Sequence, residues 1–171
     1  HDERTPASGM LHFDEIMEMH NEGTGEFVVH THNNKAFTSM TEDELHDNLS
    51  MAKNILKEHG LNHNALVYPF GEHNKNVREI VRQYFDIAFT TSKAAGERGI
   101  GDLVEPPFDQ YAVLRVNLEQ NLEDILYMID LAKEKNRWIV LYGHVDQGSW
   151  YSESKARTII ERIISNDLEW I

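Results

Sequence analysis

No cysteine occurs among the 171 residues, which excludes disulfides, thiolate metal centres and cysteine nucleophiles. Basic residues are scarce beside acidic ones: 16 Lys+Arg stand against 29 Asp+Glu, for a net charge of −13. A surface this acidic repels a phosphate backbone, so nucleic acid is a poor partner. No apolar run approaches the ~18 residues that would span a bilayer, and no signal-peptide pattern is present. What remains is ordinary: 40% hydrophobic and 26% charged residues, the balance of a globular protein. The length fits a single domain over residues 1–171 with a sizeable core. Histidine is the exception, with 10 copies.

Apolar periodicity orders the chain. After a polar stretch over residues 1–9, Leu11, Ile16 and Met19 predict a helix ending by Gly23. Phe27-Val28-Val29 reads as a short buried strand. Thr41-Glu42-Asp43-Glu44 is a capping box opening a helix with the stripe Leu45, Leu49, Ala52, Ile55 and Leu56, stopped at Gly60. Ala65 to Tyr68 predicts a strand ended by Pro69 and Gly71. Val77, Ile80, Val81 and Tyr84 predict a helix, and Ile87 to Thr90 a strand. Residues 92–110 read as a long surface loop. Ala112–Val116 and Trp138–Tyr142 predict strands on either side of a helix bearing Leu122, Ile125, Leu126 and Ile129. A last helix carries Ile159, Ile160, Ile163 and Ile164, and Leu168 to Ile171 begin a closing strand. Strands alternating with helices through short connections predict βα units and a parallel sheet, hence an α/β fold.

In such folds ligands bind at the carboxyl ends of the strands, where the chemically interesting residues fall. His30-Thr31-His32 sets two imidazoles two residues apart, on one side of an extended chain and within reach of one metal ion. The competing expectation is a pair of loop histidines bonded to backbone. His144 ends the most apolar strand, with Asp146 close behind; it suits a general acid or base or a structurally satisfied histidine. Arg115 interrupts an apolar run, so it must lie at the sheet end or be paired. His12, His20, His46, His59, His63 and His73 fall in predicted helices or polar turns and read as solvated.

The order of these motifs resembles the polysaccharide deacetylase family, carbohydrate esterase family 4. The resemblance rests on Gly25-Glu26-Phe27-Val28-Val29-His30-Thr31 and on Phe37, Met40, Thr41, Glu44 and Leu45. It continues through Tyr68-Pro69-Phe70-Gly71, Asn74 and Val77, then Leu114-Arg115-Val116 and Trp138 to His144. It implies a deformed (β/α) barrel that hydrolyses acetyl groups on an N-acetylated polysaccharide. It also implies a divalent metal, commonly zinc, that polarises the carbonyl and activates a water. Carried over, His30 is a metal ligand and His144 the general acid. Arg115 orients the catalytic base. Tyr68, Pro69, Phe70 and Gly71 line the substrate groove, the backbone after the turn helping to hold the oxyanion. Activity on such polymers implies an extracellular or cell-surface setting.

Two departures from the family pattern stand out. Asn34 occupies the place of the second ligand histidine and offers a weaker oxygen donor, with His32 as its substitute. The opening strand ending in an Asp-Asp pair, source of base and ligand, has no counterpart; Phe13-Asp14-Glu15 lies too close to His30 to serve. The expectation is therefore a deacetylase barrel incomplete at its N-terminus, its open edge covered by a partner segment or an oligomer. Alternatives are a catalytically inactive carbohydrate-binding relic of the same fold, as in a surface or phage tail protein, and an amidohydrolase-like metallohydrolase.

Overall fold

The computed structural model describes residues 11–91, 103–144 and 152–168. The chain divides into two compact units, residues 1–88 and 89–171. The expectations for residues 1–9, for 92–102 and for Asp146 lie outside the described residues, as does the closing strand beyond Leu168.

In the first unit, helix α1 (Phe13–Asn21) opens on a box in which the His12 amide donates to Glu15 at 2.7 Å. Phe13, Asp14 and Glu15 are thus the first turn of a helix, which agrees with rejecting them as a strand-end acidic pair. Helix α2 (Glu42–Glu58) starts at the predicted capping box, where Thr41 Oγ1 accepts from the Glu44 amide and the Glu44 carboxylate accepts from the Thr41 amide. The Thr41 amide, followed by nearby Lys35 and the Thr41 hydroxyl, holds the Glu44 carboxyl below its ordinary pKa. Thr41→Ala is expected to cost about 1 kcal/mol, read as a lower urea midpoint; an unchanged midpoint would show that the cap is idle.

The α2 stripe buries Leu45, Leu49 and Ala52, whereas Ile55 reaches solvent. Strand β1 (Ala65–Val67) leads to a single 3₁₀ turn, Pro69–Gly71, and helix α3 (Lys75–Val81) is capped by the Asn74 side chain. The strand predicted at Phe27–Val29 is reduced to one parallel bridge, Val29 with Leu66. Val29 donates to Ala65 and accepts from Val67, and this short pairing buries Val29 alone of the three.

Strand β2 (Ile87–Thr91) runs across the boundary between the units. In the second unit its Phe89–Thr91 segment pairs in parallel with β3 (Val113–Asn117), and β3 pairs in parallel with β4 (Leu141–Tyr142). The parallel pairing agrees with the α/β expectation. Helix α4 (Leu122–Lys135), capped by Asn121, joins β3 to β4. Helix α5 (Glu153–Ser165) begins at Ser152, whose hydroxyl accepts from the Lys155 amide. Ile125 and Ile129 of α4 pack with Ile159 and Ile163 of α5, while Ile160 and Ile164 face solvent.

Two sequence expectations change here. The strand read over Trp138–Tyr142 keeps its parallel partner only at Leu141–Tyr142, because Trp138 forms an antiparallel bridge with Val104. Leu103 and Val104 are accordingly buried, so the described part of the 92–110 stretch is not simply a surface loop.

Candidate active-site residues

The loop from His30 to Lys35 leaves the Val29 bridge and is held in the first unit by one buried side chain on α2. Asn48 is 5% exposed. Its Oδ1 accepts from Thr31 Oγ1 at 3.1 Å and from the His32 amide at 3.2 Å, and its Nδ2 donates to Asn33 Oδ1 at 2.9 Å. Asn33 Oδ1 also accepts from the Lys35 amide, so the loop is stitched to α2 and to itself. Asn48→Ala is expected to lower stability by roughly 1–3 kcal/mol, because the His32 amide and the Thr31 hydroxyl lose their acceptor. Urea unfolding measures it, and an unshifted midpoint would deny Asn48 the anchoring role.

His30 is exposed, and its Nδ1 lies 2.9 Å from the Val67 carbonyl of β1. A carbonyl only accepts, so Nδ1 carries the hydrogen and the neutral ring has its lone pair on Nε2. Metal-binding histidines are usually fixed in this way. His32 takes another course: it borders a shallow depression of about 190 Å³ with Lys35, Glu44, Asp47, Asn48 and Met51, and His30 is not on its walls. Asn34 has a left-handed backbone, φ 51°. Among the described residues no group of three or more His, Cys, Asp or Glu comes together as a metal site would need. The Val67 contact fixes the His30 ring, and the described residues do not by themselves complete a metal centre.

The Tyr68-Pro69-Phe70-Gly71 turn divides between core and surface. Tyr68 is fully buried, its ring edge-on to Phe37 and 5.0 Å from His73. Pro69 and Gly71 are buried as well, and Phe70 alone is exposed, at 65%, in a left-handed conformation (φ 57°) that a non-glycine residue adopts at a cost. The Gly71 amide donates to Tyr68 and the Glu72 amide to Pro69. Those amides close the turn, leaving that of Phe70 as the one it does not use.

Of the histidines expected to be solvated, His46, His63 and His73 are part-buried and partnered, His63 with the Leu61 carbonyl at 3.0 Å. His46 meets the Tyr84 hydroxyl at 2.7 Å, and His73 meets the Arg78 guanidinium at 3.0 Å.

The second unit gathers the remaining candidates at the carboxyl ends of β3 and β4. The Arg115 guanidinium donates to the Thr90 carbonyl at 3.2 Å and stacks 4.5 Å from the centre of the Tyr142 ring. Burial pushes Arg115 below its ordinary pKa. Burial raises the Tyr142 hydroxyl, which Arg115 opposes and Glu119 reinforces. Tyr142 stands edge-on to the His144 ring, 6.0 Å between centres. His144 Nδ1 donates to Glu119 Oε1 at 2.8 Å, while Glu119 Oε2 accepts from Asn117 Nδ2 at 3.2 Å. Sequence reading missed Glu119, as it missed Asn48.

The His144 and Asn117 hydrogen bonds hold the Glu119 carboxyl below the usual carboxylate range. A depressed folded-state pKa gives stability that is full above the unfolded value, near 4.5, and is lost as pH falls through the folded one. Stability is therefore expected to drop on acidification through this range, and Glu119→Gln should flatten that drop. Denaturant midpoints across the acid range measure it, and an equally steep profile in the variant would contradict the assignment.

Residues 8–85 match the family described as Polysaccharide deacetylase. Among solved structures, a protein of Bacillus anthracis assigned as a polysaccharide deacetylase aligns at 24% identity and a TM-score of 0.51. The alignment covers 64% of this chain and 33% of that one. A polysaccharide deacetylase of Bacillus cereus aligns at 24% identity and a TM-score of 0.52, over 66% of this chain and 34% of that one. No curated protein matches. The chain resembles the polysaccharide deacetylases and has the fold of a deformed, incomplete (β/α) barrel, and it spans about a third of these structures' length. Among the described residues no helix is long and apolar enough to cross a membrane.

Proposed function

We propose that this chain acts in the metal-dependent hydrolysis of acetyl groups from an N-acetylated polysaccharide, outside the cell or at its surface. The observation that carries the reading is the match of residues 8–85 to polysaccharide deacetylases on a fold shared with them. The side chains support it. His30 presents Nε2 as a ligand atom from a ring fixed on Val67. When bound, a divalent ion such as zinc supplies Lewis-acid polarisation of the acetyl carbonyl and an acidified water.

His144 holds the proton of the leaving step on Nε2 and passes it to the amine nitrogen as the C–N bond breaks. Glu119, bonded to Nδ1, steadies the imidazolium and fixes the ring orientation. Phe70 offers an exposed aromatic face to a sugar ring, and its amide is the donor of the turn suited to the oxyanion. Arg115 lies in a part-buried setting against Tyr142, suited to orienting a carboxylate base. That base and the remaining ligands come from carboxylates outside the clusters described above, in this chain or in a partner segment or second copy.

Acetate release from N-acetylglucosamine oligomers and peptidoglycan, with and without a chelator, tests the reading. Chelator-sensitive release is the expected result. Retained glycan binding with no release under any metal would favour the carbohydrate-binding relic. The observation behind that second reading is the lack of a three-residue ligand group among the described residues.

A further inference from the structure

We propose that Lys155, on α5, is a positioning residue for His144, acting through the loop that carries Glu119; the catalytic part of this proposal rests on His144 being the general acid. Lys155 Nζ donates to the Leu118 carbonyl at 2.7 Å and to the Gln120 carbonyl at 2.8 Å. Those carbonyls flank Glu119 on both sides. The Leu118 amide donates to Tyr142 at 2.8 Å and the Glu119 amide to Asn117 Oδ1 at 2.8 Å. Glu119 then offers Oε1 to His144. Hydrogen bonds joined through the 118–120 backbone thus connect α5 to the imidazole.

The placement of the lysine is informative. It sits in the first turn of α5, its amide accepted by the Ser152 cap. A cation there opposes the helix dipole, and fixing a long side chain costs rotamer entropy. The two carbonyl bonds offset both. Leu118 itself packs against the cluster of Ile125, Ile129, Ile159 and Ile163, so the ammonium ties the Glu119 loop to the α4–α5 interface. Without it, the Leu118 and Gln120 carbonyls lose a shared donor, and the Glu119 carboxylate loses one of the constraints on its distance to Nδ1.

The test separates positioning from simple charge. Among the described residues, Glu119 meets the ring at Nδ1 and Tyr142 at its edge, with Arg115 behind Tyr142 and Lys155 behind the loop. Loss of a nearby positive charge alone would make the imidazolium easier to form and move the ring's titration to higher pH. Loss of the Glu119 contact does the opposite. The measurement is the NMR titration of the His144 ring, assigned with His144→Ala, in wild type, Lys155→Met, Lys155→Arg and Glu119→Gln.

Lys155→Met is expected to move the titration to lower pH, Lys155→Arg to restore part of it, and Lys155→Met to add nothing in the Glu119→Gln background. The alkaline limb of the kcat profile should move the same way, with kcat reduced several-fold and KM little changed. A shift to higher pH, no shift, or an equal shift without Glu119 would overturn the proposal. Because the titration needs no turnover, an inactive wild type whose ring titrates as expected would refute the general-acid reading while leaving the Lys155–Glu119–His144 coupling standing. Circular dichroism on each variant identifies any that fails to fold, and the conservative Lys155→Arg then decides.

Discussion

A His144→Ala variant is expected to release acetate from an N-acetylated glycan roughly 10²–10⁴-fold more slowly than wild type, the usual loss when a general acid is removed. The amine of a hydrolysed amide is a poor leaving group until protonated, and under the proposed function His144, held at the strand end, supplies that proton. Its Nδ1 is committed to Glu119 at 2.8 Å, so only Nε2 can exchange a proton with substrate. The deficit should fall on kcat and leave bound metal unchanged, since no role in metal binding is assigned to His144. Side-by-side kinetics and metal analysis measure this, and turnover equal to wild type would remove His144 from the mechanism.

Replacing His30 by Ala is expected to abolish metal binding and activity together. The ring is oriented by its 2.9 Å contact with the Val67 carbonyl, and Asn34 at the family's second histidine place is the weaker donor. Under the proposed function, loss of this imidazole removes a ligand that Asn34 replaces only weakly. His32 borders the depression beside α2, on whose walls His30 does not lie. A His30→Gln variant is expected to behave the same way, since an amide lacks the imidazole lone pair. Metal retained at wild-type stoichiometry in either variant would show that the ion sits elsewhere. His30 is exposed, so folding should survive the change, and the metal result can be read without a stability correction.

The helices were legible because each carries a 3.6-residue apolar stripe and, at Thr41, an explicit cap. Strand extent was not. Phe27–Val29 and Trp138–Tyr142 are apolar enough to be strands, yet pairing depends on the neighbour's register. Only Val29 and Leu141–Tyr142 make the parallel contacts, and Trp138 turns to Val104 from a stretch that reads as loop. The candidate residues divide in the same way. His30, Arg115 and His144 stand out because charged or imidazole side chains interrupt or end apolar runs. Asn48, Glu119 and Lys155 leave no local trace: they act on partners 17, 25 and 37 residues away. Such contacts follow from the tertiary arrangement and from no pattern within a window of sequence.

Phe70 and Tyr68 give the finest-grained lesson. As adjacent members of one motif they read alike, but the Pro-centred turn sends Tyr68 inward and Phe70 outward. Under the proposed function, the substrate-facing role thereby narrows from the whole tetrapeptide to the side chain and amide of one residue.

The central claim, a metal-dependent deacetylase, is tested most directly by elemental analysis of the purified chain after zinc loading and exhaustive dialysis. The account predicts about one zinc per chain, as a single mononuclear site would hold. Absence of bound metal after loading would contradict it and favour a fold kept for glycan binding alone.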